Sequence, residues 1–117
     1  MYAAMRESLR AIAPGAHVGV HWSHFYPEGA CQYMTLRLPP MPEEQALAQM
    51  RQMWDAVLQE CHREGGSMSH HHGVGLFRAP WMRAEHGAAL DVMAALKRHL
   101  DPGNLLLPGK LGLDRKP

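Results

Sequence analysis

The fold of this chain is decided by residues 16–38, which read AHVGVHWSHFYPEGACQYMTLRL. In the first half, the apolar residues Val18, Val20 and Trp22 alternate with polar or small residues, which is the period of a strand with two different faces. Residues 26–29 then read as a turn, because proline suits the second position of a type I turn and glycine the fourth. Alternation resumes after the turn. The stretch therefore predicts a β-hairpin over residues 16–38, ended by a proline-rich segment.

Helices are predicted on both sides of the hairpin. Residues 2–12 carry apolar side chains at helical spacing and stop before Pro14. Residues 43–64 form the clearest helix, with acidic residues at its start and Gly65-Gly66 at its end. Its apolar stripe is predicted to contain Leu47, Met50, Trp54, Val57 or Leu58, and Cys61.

A third helix is predicted over about residues 80–100. Its apolar stripe is predicted to contain Met82, His86, Ala89, Met93, Leu96 and Leu100. The segment before it, near residues 67–70, is expected to be a loop or a short strand. The stripe and the stop signal at Asp101-Pro102-Gly103 favour a single continuous helix.

Together these elements predict an α+β fold with a small antiparallel sheet packed by helices, a ferredoxin-like fragment of a larger fold. Residues 1–100 form the body. Residues 101–117 form a tail whose leucines are interrupted by Pro-Gly, so it is expected to dock on another surface instead of lying free in water.

Composition excludes several classes of partner. The chain has 117 residues, 46 % hydrophobic and 20 % charged, which fits one domain or a piece of a larger one. The formal charge of +1 gives no field that would attract nucleic acid. No apolar run approaches the roughly 20 residues of a membrane span. The two cysteines, Cys31 and Cys61, form no disulfide framework, which indicates a reduced, cytoplasmic chain.

Residues 65–75 read GGSMSHHHGVG and contain the strongest chemical signal. Imidazole exchanges protons and binds metals near neutral pH, and the flanking glycines allow close approach of a ligand to the backbone. Three interpretations remain open: a metal site, a proton-transfer or oxyanion-stabilising site beside a cofactor, and a polar loop that is rich in histidine. Were the segment extended, His70 and His72 would share a face and His71 would oppose them.

The hairpin turn is a second candidate site. The phenol of Tyr26 is a plausible proton donor or acceptor if a base or a positive group lies near it. Its alternative role is to cap the core at a turn, as amphipathic tyrosines often do. The residues alone favour the cap.

The histidine motif, Arg78-Ala79-Pro80-Trp81 and the helix ending in Leu100-Asp101-Pro102 resemble the C-terminal part of FAD-linked oxidases of the vanillyl-alcohol-oxidase-type superfamily. The triple histidine is most similar to the alkyldihydroxyacetonephosphate synthase branch. Relatives that act on D-2-hydroxy acids tend to carry Glu-His-Gly where this chain has His71-His72-Gly73. The resemblance covers most of residues 16–111.

The resemblance implies roles for individual residues. In the synthase branch the histidines lie at the flavin and substrate, so His70, His71 and His72 are implied as catalytic. Tyr26 stands in a matching Tyr-x-x-Gly-Ala-Cys segment and is implied as the catalytic acid/base. Contacts to the cofactor are implied for Gly73, Gly75 and Lys110. Leu107 departs from the family pattern, which has asparagine at that position.

The resemblance also implies FAD as cofactor, a small-molecule substrate and a missing N-terminal FAD-binding domain as partner. The chain is then expected to be a fragment or one product of a split gene that is inactive alone. The alternatives are a small non-catalytic metal-binding domain, part of an FAD-linked D-2-hydroxy acid dehydrogenase, or a module that self-associates, for example as a homodimer.

Overall fold

The computed structural model describes residues 1–113, which divide into two compact units, Met1–Glu64 and a second unit that begins at Gly65. The first unit contains helix α1 (Tyr2–Ile12), strands β1 (His17–Tyr26) and β2 (Gly29–Arg37) and helix α2 (Glu43–Arg63). The second contains the short helices α3 (Gly75–Arg78) and α4 (Met82–His86) and the longer α5 (Ala89–Leu100), with 3₁₀ turns at Ala79–Trp81 and Lys110–Gly112. The predicted α+β class with a small antiparallel sheet is confirmed.

The two strands form the predicted hairpin, joined by a two-residue turn at Pro27-Glu28. Val18 pairs with Leu36, and Val20 with Met34, so their side chains share one face. Together with its flanking helices, the hairpin has the order α-β-β-α. That order is the inner part of the β-α-β-β-α-β arrangement of ferredoxin-like folds.

Helix α1 packs on the Val18 face of the hairpin. The rings of Tyr2 and Trp22 meet edge to face at a centroid distance of 6.3 Å. The side-chain amide of Gln32 lies 3.2 Å from the Met5 sulfur. Because both contacts lie on one face of the hairpin, α1 does not pack on the opposite face.

Helices α1 and α2 run antiparallel in the first unit. The terminal amine of Met1 bonds to Glu64 at 3.1 Å, and Gln49 donates to the carbonyl of Ile12 at 3.2 Å, which joins the opposite ends. The buried side chains of this pair are Met5 and Leu9 on α1, and Met53, Val57, Leu58 and Cys61 on α2. The predicted stripe of α2 is therefore correct only in its second half, because Leu47 is 51 % exposed and Met53 takes a core position.

The second unit departs from the sequence prediction between residues 80 and 100. This segment is helical, but it is interrupted at Gly87, where the backbone adopts φ 53 and ψ −132. That conformation is open only to glycine, so α4 ends there and α5 starts with a new phase. The predicted stripe is lost as a result: Met82 and Leu90 are buried, while Leu96 and Leu100 are exposed. Of the two alternatives for residues 67–70, the loop is observed.

Arg83 joins the two helices across this break. Its guanidinium makes two bonds to the carboxylate of Asp91, at 2.6 and 2.9 Å, and a third to the carbonyl of Gly87 at 3.0 Å. The ion pair raises the pKa of Arg83 and lowers that of Asp91. Helix α4 is therefore fixed to α5 by a side chain as well as by packing.

The predicted tail begins with a structured turn. Asp101 accepts hydrogen bonds from the amides of Leu105 and Leu106, both at 2.9 Å, and is paired with Lys97. Lys97 also donates to the carbonyl of Leu106 at 2.7 Å. Residues 114–117 of the tail lie outside the described residues. No helix among residues 1–113 combines the length and the apolar character needed to cross a bilayer.

Candidate functional site

A β-bulge in β1 determines where Tyr26 points. Ser23 pairs with Cys31 and Phe25 pairs with Ala30, so His24 is the extra residue of the bulge. In a regular strand Tyr26 would share the face of Trp22. The extra residue transfers Tyr26 to the opposite face, where it pairs with Gly29.

That opposite face is polar and open. Besides Tyr26, the pairing register gives it His17, His21, Ser23, Cys31, Tyr33, Thr35 and Arg37. Tyr26 is 51 % exposed and Tyr33 is 44 % exposed. The core-cap interpretation of Tyr26 is therefore not observed in the described structure. We call this surface the open face of the hairpin.

His24 adds a further imidazole beside the open face. Its φ of 50 lies in the left-handed region, and its Nδ1 lies 3.0 Å from the hydroxyl of Ser23. One ring nitrogen is within 4.8 Å of the Cys31 sulfur. Neither Cys31 nor Cys61 forms a disulfide; Cys61 is buried, whereas Cys31 is half-buried.

The three consecutive histidines, His70–His72, form a compact exposed group in the second unit. The Nδ1 atoms of His70 and His71 are 2.8 Å apart, close enough to share a proton. The ring of His71 also meets that of His72 edge to face, with a centroid distance of 4.2 Å. The alternation expected of an extended segment is therefore not seen, because the loop brings the ring of His71 against both of its neighbours.

Side chains hold this loop at both ends. Before the histidines, Glu85 accepts a bond from the hydroxyl of Ser67 at 2.8 Å and lies within hydrogen-bond distance of the Met68 amide. After them, the carbonyl of Gly73 accepts from Ser69 at 2.8 Å and from Arg78 at 3.1 Å. We refer to residues 67–73 as the histidine loop.

The glycines after the histidines leave the backbone uncovered. Gly73 and Gly75 have φ of 73 and 61, which side chains rarely tolerate. Apart from the adjoining residues, a Cβ atom built on either would lie more than 4 Å from every atom of residues 1–113. The main chain here is therefore open to the approach of a flat ring beside three imidazoles.

Lys110 lies in the same unit as the histidine loop. It opens the last 3₁₀ turn and is half-buried. This turn packs closely on the Ala79–Trp81 turn, since a Cβ atom at Gly112 would lie 2.7 Å from the carbonyl oxygen of Ala79. The predicted contact of Lys110 with a cofactor remains a prediction.

Several residues that organise these two sites were not singled out from the sequence. Glu85 lies 18 positions after Ser67, so no local spacing links them. His21 and Tyr33 form a cross-strand pair on the open face, a relation that the hairpin alternation could have indicated. His24 gave no signal, because a bulge cannot be distinguished from a longer turn in one sequence.

Comparison with known families bears on the resemblance seen in the sequence. The family described as FAD linked oxidases, C-terminal domain, matches residues 1–111. The predicted resemblance is confirmed at the level of this family, and FAD is the cofactor of its intact members. No solved structure matches the chain.

Individual relatives agree with the family match. Alkyldihydroxyacetonephosphate synthase of Trypanosoma brucei brucei is 34 % identical over 90 % of this chain and 17 % of its own length. The uncharacterized FAD-linked oxidoreductase YgcU of Escherichia coli K12 is 33 % identical over 95 % of this chain and 24 % of its own length. A glycolate oxidase subunit of Bacillus subtilis is 32 % identical over 56 % of this chain and 14 % of its own length. The chain thus spans about a quarter or less of the length of the relatives it matches.

Proposed function

Because this chain belongs to the C-terminal domain family of FAD-linked oxidases, we propose that it supplies the substrate-side acid/base groups of a flavin site in a larger enzyme. The observation that carries the proposal is the histidine loop. It presents three exposed imidazoles next to the bare backbone of Gly73 and Gly75. Imidazoles serve proton transfer, and uncovered backbone suits a flat cofactor.

The proposed chemistry needs proton-transfer groups. When bound, FAD supplies a two-electron acceptor. Removing an electron pair from a substrate leaves a proton that a nearby base must take. His70 and His71 can accept and pass on such a proton, since their Nδ1 atoms are 2.8 Å apart. His72 extends this group through its contact with His71.

The open face of the hairpin supplies the proposed phenol. Tyr26 matches the acid/base position implied by the resemblance, and its side chain is half exposed. Tyr33 lies on the same face, opposite His21. We assign the acid/base role to Tyr26, and the Tyr33→Phe variant tests whether the role belongs to its neighbour.

The names of the relatives indicate two reaction classes for the intact enzyme. One relative is an alkyldihydroxyacetonephosphate synthase, and another is a glycolate oxidase subunit. We favour the synthase-like class, because the triple histidine resembles that branch. In both classes the substrate is a small molecule and proton transfer accompanies the reaction.

The leucines of the tail are proposed to dock on the FAD-binding domain. Leu105, Leu106 and Leu107 are 83 %, 70 % and 74 % exposed, although Asp101 and Lys97 hold their backbone in place. An ordered, exposed apolar segment is typical of an interface. The relatives are much longer than this chain, so their remaining sequence has room for the domain that would cover these leucines.

Titration with FAD tests whether the chain needs the FAD-binding domain to bind flavin and to be active. The 117-residue chain alone is expected to bind FAD weakly and to show no activity. Together with its FAD-binding domain it should form a flavin-loaded complex that is active. A flavin-loaded, active preparation of the chain alone would contradict the proposal.

Substitutions in the flavin-containing complex test the individual roles. Tyr26→Phe and His71→Ala should each lower kcat by about 100-fold or more, with retained flavin absorbance, because each removes a proton-transfer group. Arg6→Ala on α1 provides a surface control and should leave kcat unchanged. If Tyr33→Phe lowered kcat and Tyr26→Phe did not, Tyr33 and not Tyr26 would be the acid/base residue of the open face.

Metal binding is the second candidate function, and one observation favours it. The 2.8 Å pair of imidazole nitrogens supplies two of the three or four protein ligands that zinc uses. Chain purified without metal-affinity resin should be analysed for zinc and tested for stabilisation by added zinc. Stoichiometric zinc that supports folding would favour this function over the flavin proposal.

A further inference from the structure

The carboxylate of Glu85 is bonded to the backbone and side chain that directly precede the histidines. Its Oε1 lies 2.8 Å from the Ser67 hydroxyl, and its Oε2 lies 3.3 Å from the Met68 amide nitrogen. Both donors belong to the histidine loop, whereas Glu85 belongs to α4. One side chain therefore joins the loop to a helix.

Helix α4 is a fixed support for this carboxylate. Met82 at its start is almost fully buried, and Arg83 pairs bidentately with Asp91 of α5. The histidines are exposed and contribute little packing of their own. Besides the buried side chain of Met68, the loop is held by hydrogen bonds at its ends, and those made by Glu85 at its start and by Arg78 at its end involve charged groups.

We infer that Glu85 is a positioning residue for His70, His71 and His72: through Ser67 and Met68 it fixes the start of the histidine loop and so the arrangement of the three imidazoles. This inference concerns the loop itself. Its catalytic consequence rests on the proposed function, in which those imidazoles transfer protons.

Nuclear magnetic resonance of the 117-residue chain tests the inference without flavin. In Glu85→Ala, the Met68 amide should exchange with solvent roughly 10- to 100-fold faster, the factor that corresponds to losing one hydrogen bond to a charged group. The ring ¹⁵N signals of His70–His72 should shift, since their mutual contacts change. Glu85→Gln keeps one acceptor oxygen and should lie between wild type and Glu85→Ala.

The matched control is Glu60→Ala on α2, which removes another hydrogen-bonded carboxylate, the partner of Arg63, without touching the loop or α4. It should leave the Met68 exchange rate and the histidine ring signals unchanged. Unchanged ring signals in Glu85→Ala, or the same ring shifts in Glu60→Ala, would overturn the inference. Full activity of the Tyr26 and His71 variants in the flavin complex would instead defeat the proposed function and leave this result intact.

Discussion

The open face of the hairpin and the histidine loop both present polar side chains to solvent, but different bonds hold them. Tyr26 is placed by the backbone, because the ladder between β1 and β2 and the bulge at His24 decide which face it joins. The histidines are placed by side chains, because Glu85, Ser69 and Arg78 bond to the loop that carries them.

This difference predicts how each region responds to mutation. A ladder is a cooperative unit, so a change of register moves every side chain of the strand at once. Side-chain bonds at the ends of a loop can be removed one at a time, and each contributes about 1 kcal/mol. We therefore expect few but large effects in the backbone-determined parts of the molecule and graded effects in the histidine loop.

The largest loss of stability is expected at Gly112, where two 3₁₀ turns of the second unit pack closely through their backbones. Gly112→Ala introduces a side chain at φ 72 and places it 2.7 Å from the carbonyl of Ala79. The cost should be about 3 kcal/mol, combining strain and overpacking. Urea unfolding followed at amide signals of the second unit measures it. Gly15→Ala, whose added Cβ would lie an ordinary 3.8 Å from the side chain of Pro39, is the control and should cost much less.

The bulge can be stressed directly at His24. A β-branched side chain disfavours a φ of 50, so His24→Val should destabilise the hairpin by about 1–3 kcal/mol or shift its register. His24→Gly tolerates this φ and should keep the pairing of Ser23 with Cys31. Cross-strand nuclear Overhauser effects report the register. Equal stability of the two variants would show that the ladder does not depend on the left-handed residue.

A double-mutant cycle measures how strongly two hydrogen bonds of the histidine loop are coupled. Ser69 and Arg78 donate to one carbonyl, that of Gly73, so either alone still satisfies it. Ser69→Ala and Arg78→Ala should each cost about 0.5–1 kcal/mol, and the double variant should exceed their sum by about 1 kcal/mol. Simple additivity in denaturant unfolding would show that the two bonds act independently.

Acid should release the tail. Hydrogen bonds from Lys97 and from the amides of Leu105 and Leu106 lower the pKa of Asp101 from 3.8 to about 2. The stabilisation is therefore complete above about pH 3.8 and lost as the pH falls toward 2. Amide exchange at Leu105 and Leu106 should accelerate over that window. In Asp101→Asn the exchange should be faster throughout and lack this acid transition.

The smallest effect is expected at Leu107, whose φ of 49 lies in the left-handed region. Asparagine tolerates this conformation better than leucine. Leu107→Asn should therefore raise stability by up to about 1 kcal/mol while weakening the proposed docking surface. Thermal unfolding measures the gain. A lower melting temperature for Leu107→Asn than for wild type would contradict the strain argument.

The first unit was largely predictable because its signals are local. The hairpin and the two flanking helices follow from alternation and from apolar spacing within a single segment. The break at Gly87 was missed, since a glycine inside a helical pattern usually costs only about 1 kcal/mol and is tolerated. Glu85 was missed for another reason: its partners lie far away in sequence, and only tertiary structure brings them together.

The bulge at His24 also makes the hairpin insensitive to one kind of length change. If His24 were deleted, Ser23, Phe25 and Tyr26 would keep their present partners, Cys31, Ala30 and Gly29, in an uninterrupted ladder. Tyr26 would remain on the open face. A relative one residue shorter at this point would therefore present the same tyrosine on the same face, without the imidazole of His24.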